Sequence, residues 1–79
     1  MEQLNQEILR VTIIVNTKPY TFDTRKVTGL EIKTKASQPP TSELYRKEGD
    51  HLSSEIGNDQ TIEIHDGEEF AIFPPTPVS

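Results

Sequence analysis

The chain has 79 residues, a formal net charge of −5 from 13 acidic and 8 basic residues, and no cysteine. This length holds one domain at most, and a chain this short buries only about 60% of the surface its unfolded form exposes. Disulfides and thiolate metal sites are excluded, and the interspersed acidic balance argues against nucleic acid and anionic membrane as partners.

Met1 to Glu7 is polar, so residues 1–9 read as a flexible N-terminal arm ahead of a domain spanning residues 10–73. The arm has neither the basic start nor the apolar run of a signal peptide. No stretch approaches the ~20 apolar residues of a membrane span, which points to a soluble, intracellular protein. Val11-Thr-Ile-Ile-Val15 is rich in β-branched residues, with Val11, Ile13 and Val15 on one face and Thr12 and Ile14 on the other, the pattern of a strand. Asn16 to Pro19 supplies turn residues, and Tyr20-Thr-Phe-Asp23 alternates aromatic with polar. Together these predict an antiparallel hairpin with Tyr20 and Phe22 facing inward.

Thr28-Gly-Leu-Glu31 has the spacing of a capping box, which predicts a short helix beginning after Thr28. Its apolar stripe is Leu30, Ile32 and Ala36, with Val27 as a staple, and Glu31, Lys33, Thr34 and Lys35 fall on the solvated surface. Pro39-Pro40 ends the segment. Glu43 to Lys47 reads as a strand, Glu48-Gly49-Asp50 as a tight turn into His51-Leu52, and Ser53 to Gln60 as an irregular stretch anchored by Ile56. Thr61-Ile-Glu-Ile64 is strand-like. The Asp66-Gly67 pair that follows is a local hairpin signal that would join it to the last strand.

That last strand, Glu69-Phe-Ala-Ile-Phe73, alternates Phe70 and Ile72 against Ala71 and Phe73. Pro74, Pro75 and Pro77 cannot continue it, because proline lacks the ladder donor and holds φ near the polyproline value. Residues 74–79 therefore read as an extended tail of Pro74, Pro75, Thr76, Pro77, Val78 and Ser79. The whole is an α+β arrangement, a mixed four- to five-stranded sheet with one helix packed across it, whose last strand lies parallel beside the first.

The chemistry-bearing residues make no case for an enzyme. His51 and His65 lie in polar, turn-like contexts, their spacing with Asp50 and Asp66 demands no metal site, and the 4 glycines stand singly rather than in a phosphate-binding loop.

The opening strand, the helix Ile32 to Ala36, Pro39-Pro40 followed by Glu43-Leu-Tyr45, the turn at Glu48 to Leu52 and the closing Phe70-Ala-Ile-Phe73 together resemble the ubiquitin-like β-grasp family. The phrasing Val27-Thr-Gly-Leu-Glu-Ile-Lys33 with Gln38-Pro-Pro, and Asp66-Gly-Glu-Glu-Phe70 with Phe73-Pro-Pro, is similar to bacterial multiubiquitin-type proteins. The resemblance covers roughly Arg10 to Ser79. It implies that the last strand pairs with the first and third strands, which turns Ile62 and Ile64 into core anchors on an irregular segment rather than a hairpin partner.

The resemblance also implies a function. The outward face of the sheet carries Ala71 and Phe73, joined by Tyr45 on the neighbouring strand with Ile14 further off, and the positions matching Tyr45, Ala71 and Phe73 form a hydrophobic recognition patch in ubiquitin-like proteins. The terminal carboxylate in conjugated relatives is adenylated by an E1-like activating enzyme that uses ATP, the protein itself holding no cofactor. An E2-like conjugating enzyme and a JAB-type or other processing peptidase are the further partners, and the bacterial cytoplasm is the compartment. Lys33 and Lys35 match the region of chain-forming lysines in ubiquitin, and a solvated charged face explains them equally well. Ubiquitin and the sulfur carriers end in two glycines, whereas Val78 and Ser79 stand here. Three readings follow: a modifier whose activating enzyme accepts this terminus or a trimmed one, a non-covalent interaction domain with an inert tail, and a sulfur carrier.

Overall fold

A computed structural model describes residues 9–75. The β-branched run forms β1, Val11–Val15, with Val11, Ile13 and Val15 buried and Thr12 and Ile14 half-buried on the opposite face. Asn16 and Thr17 both take positive φ, 51° and 71°. Two such residues in succession are what a tight right-twisted hairpin requires. The chain thereby returns as β2, Lys18–Phe22, antiparallel to β1 with Val15 opposite Lys18 and Val11 opposite Phe22. Tyr20 and Phe22 pack against the core as the alternation predicts. Lys18 and Pro19 lie on an outer strand, where both residue types discourage further pairing.

The predicted capping box is present. Thr28 Oγ1 accepts from the Glu31 N–H at 3.1 Å, and the Glu31 carboxylate accepts from the Thr28 N–H at 2.8 Å. The helix α1, Gly29–Lys35, is two turns long. Its buried stripe differs from the predicted one. Ile32 and Ala36 are buried, but Leu30 is 41% exposed and Lys33 only 2% exposed. At about 100° per residue, Leu30 lies on the far side of the helix from Ile32, so both cannot face the sheet. Lys33 takes the place expected of an apolar residue by burying its stem and donating from Nζ to Asn58 Oδ1 at 2.8 Å and to the Pro40 carbonyl at 3.3 Å.

A second difference lies just before the helix. Lys26–Thr28 forms β3, which pairs antiparallel with β6, Thr61–Glu63, as a separate two-stranded sheet. Val27 is thus a buried strand residue opposite Ile62. Ile64 is fully buried and Ile62 packs against the core, so both anchor it, but Ile62 does so from a strand rather than from irregular chain.

Glu43–Glu48 forms β4, turns at Gly49 and Asp50, and pairs with β5, His51–Leu52. The final strand β7, Glu69–Phe73, enters between the two hairpins, parallel to β1 and antiparallel to β4. The five-stranded order is β2-β1-β7-β4-β5, the arrangement that the resemblance implied. Asp66-Gly67 makes no β6–β7 hairpin. Gly67, at φ 85°, allows a turn whose Asp66 Oδ1 accepts from the Thr12 N–H at 2.7 Å and whose Gly67 N–H donates to the Thr12 carbonyl at 2.8 Å. The turn is therefore spent on joining β7 to β1, because pairing two buried strands outweighs a local turn preference. Phe70, Ile13, Ile32, Leu44 and Ile64 fill the space between sheet and helix. Among the described residues no helix is long and apolar enough to cross a membrane.

Candidate functional site

The period of β7 decides what its neighbours can touch. Phe70 and Ile72 are buried in the core, which turns Glu69, Ala71 and Phe73 to the outer face of the sheet. Tyr45 of β4 stands opposite Ala71, and its ring lies 5.7 Å from that of Phe73 at an interplanar angle of 60°. A tilted aromatic pair of this kind adds to the stability of an exposed face without closing it. The Tyr45 hydroxyl donates to Glu43 Oε1 at 2.8 Å. That bond to a carboxylate, with neighbouring negative charge, raises the phenol above its ordinary value of 10.0.

On the other flank Ile14 of β1 stands opposite Glu69. Ile14, Ala71, Phe73 and Leu52 line an open groove of about 550 Å³, together with Asn16, Thr17 and the Lys47–Glu69 pair, whose charged atoms are 3.4 Å apart. Phe73 and Leu52 are 44% and 45% exposed. The structure therefore brings Ile14, Ala71 and Phe73 together in one groove, and Tyr45 joins them through its contact with Phe73. Sequence reasoning missed Leu52, whose place depends on the register that sets it opposite Lys47. The only local sign was an apolar residue directly after a tight turn.

The two helix lysines part company. Lys35 is exposed, with Nζ 5.4 Å from the centre of the Phe22 ring. Lys33 is buried with its amine held by carbonyl oxygens, so the solvated-face reading fails there, and an inaccessible ammonium cannot serve as a chain-forming amine. Pro74 and Pro75 leave the sheet and are exposed. Thr76, Pro77, Val78 and Ser79 lie outside the described residues, as do residues 1–8 of the arm.

His51 and His65 are exposed, His65 Nδ1 lying 3.8 Å from Glu68 Oε1. Among the described residues no three His, Cys, Asp or Glu side chains are grouped to hold a metal ion. Arg46 bridges the inner edge: its guanidinium donates to the Glu63 carbonyl at 2.8 Å, lies 3.5 Å from Glu68 and covers the Phe70 ring. These contacts tie β4 to β6 and to the start of β7 rather than forming a site for chemistry.

Comparison with curated proteins and with solved structures gave no match. The family model described as multiubiquitin matches residues 11–76, from the first residue of β1 to the tail. With most of its length under that match and with the sheet order and single helix described above, the chain belongs to the multiubiquitin family and carries the ubiquitin-like β-grasp fold.

Proposed function

We propose that this protein is a ubiquitin-like modifier of the bacterial cytoplasm, activated at the carboxylate of its mature tail by an E1-like enzyme and passed through an E2-like enzyme to target proteins. The observation that carries the reading is the double use of β7. Ala71 and Phe73 face outward beside Tyr45, and the same strand runs straight into Pro74 and Pro75, both exposed. A partner that grips the outer face is thereby placed beside the start of the tail, and proline keeps the ordering cost of an extended segment low.

The chemistry belongs to the partners. A tail carboxylate oxygen attacks the α-phosphorus of ATP, pyrophosphate leaves, and an acyl adenylate forms. A nucleophile of the enzyme or target then attacks the activated carbonyl and AMP departs with the bonding electron pair. A JAB-type or other peptidase fits the pathway as the enzyme that trims the tail or reverses the conjugate. A different reading, a non-covalent interaction domain, is favoured by one feature: the outward Tyr45–Phe73 aromatic pair beside Ala71 serves recognition without any use of the tail.

Intact mass spectrometry separates the two. Incubation with an activating enzyme encoded beside this protein, ATP and magnesium should add the mass of an adenylate or of an enzyme-linked ester or thioester. Absence of any adduct on the full-length and trimmed chains would reject the modifier and leave the interaction domain.

A further inference from the structure

Asn16 is the residue at which the outer groove, the β1–β2 turn and the strand leading to the tail meet. Its backbone N–H donates to the Phe70 carbonyl at 3.1 Å. The chain then reverses into β2, so β1 has no further backbone to offer Ile72 on that side. The Asn16 side chain stands in for it. Nδ2 donates to the Ile72 carbonyl at 2.9 Å, and Oδ1 accepts from the Ile72 N–H at 2.9 Å.

A carboxamide carries the donor and acceptor of a peptide unit, which is why it can continue a ladder where the main chain has left. Asparagine is also among the few non-glycine residues that settle readily at positive φ, and Asn16 has φ 51°. One residue thus satisfies the turn and clamps the strand. On the opposite edge Ile72 stands opposite Leu44, and Phe73 opposite Glu43. Both flanks of β7 are held up to this level, and the next residues, Pro74 and Pro75, have no N–H with which to continue.

We propose that Asn16 is a positioning residue for the tail: its side-chain clamp on Ile72 fixes where the chain leaves the sheet and ties that point to the groove a partner grips. The functional half of this proposal rests on the modifier reading above. Without the clamp the end of β7 opens while the rest of the domain stays folded, and the carboxylate is presented from a shifting base. Such a loss acts on productive docking of the tail rather than on the chemical step.

Asn16→Gly separates the two duties of the residue, because glycine accepts the turn conformation and lacks the carboxamide. Asn16→Asp keeps an acceptor for the Ile72 N–H and removes the donor. Thr17→Gly alters the turn and spares the clamp. In the full-length chain, amide hydrogen exchange followed by NMR should show Ile72 exchanging about ten-fold faster or more in Asn16→Gly, with Ile13 and Leu44 at wild-type rates. ATP–pyrophosphate exchange with the activating enzyme should show KM for the protein raised about three-fold or more, with kcat unchanged. Asn16→Asp should move both readouts in the same direction, and Thr17→Gly should leave exchange at Ile72 at the wild-type rate.

Unchanged exchange at Ile72 would overturn the clamp, and an equal rise at Ile13 would show a merely structural role and overturn the positioning. Faster exchange at Ile72 with an unchanged KM would overturn the link to activation. Failure of the wild-type chain to react at all would instead reject the modifier reading together with the functional half, while exchange at Ile72 would still decide whether the clamp exists.

Discussion

Thr17 shows how single residues in this fold are held by their neighbours rather than by their own preference. It is β-branched and has φ 71°, a conformation that costs an L-residue about 1–2 kcal/mol. Glycine at this position would remove that cost but enlarge the freedom of the unfolded chain, an opposing effect of about 0.4–1 kcal/mol. The difference predicts that Thr17→Gly stabilises the domain by about 0.5–1 kcal/mol in urea unfolding. Tyr45 gives a second test at this scale. Its phenol donates to the Glu43 carboxylate, so the folded protein holds that proton above the usual pH. The contribution to stability is present below the unfolded value near pH 10 and is lost as pH rises through the folded value. In a Tyr20→Phe background, ultraviolet titration should place Tyr45 above free tyrosine, and Glu43→Gln should bring it back down.

At the scale of elements, the junction between α1 and the chain at 57–60 is where backbone packs on backbone. Gly29 donates to the Gln60 carbonyl at 3.1 Å, Leu30 to the Asn58 carbonyl at 3.2 Å, and a Cβ on Gly29 would collide with the Gly57 carbonyl. In an open helix Gly→Ala would gain about 1 kcal/mol of propensity. Here the clash wins, and Gly29→Ala should destabilise by about 1–3 kcal/mol, read as a lower denaturation midpoint. The elements with a period were legible in the sequence: Val11 to Val15 and Glu69 to Phe73 each show the alternation that the structure uses, and Thr28 and Glu31 mark the helix start. β3 was not, and β6, strand-like in the sequence, could not be given its partner, since three residues are too few to display a period and their pairing joins Val27 to Ile62 far along the chain. Leu30 misled because a two-turn helix has one buried face, and loop contacts select which. Of the candidate site, Ala71 and Phe73 could be assigned to one face from strand parity, and the resemblance added Tyr45 by setting its strand beside the last one. Leu52 and Asn16 could not, because a hairpin register places the one and a side chain reaching Ile72, 56 residues on, defines the other.

For the whole molecule, the sheet order puts β7 in the middle, which makes one strand serve core, surface and exit at once. Phe70 and Ile72 fix it to the core, Ala71 and Phe73 present the outer face, and Pro74 begins the tail. A substitution at Phe73 should therefore separate recognition from folding, because the side chain is 44% exposed and touches Tyr45 rather than the core. The most direct measurement is the affinity of the activating enzyme for wild-type and Phe73→Asp chains by titration calorimetry, with thermal unfolding of each chain alongside. The expected result is a loss of affinity of about thirty-fold or more with nearly the same unfolding temperature. Wild-type affinity in a folded Phe73→Asp chain would contradict it.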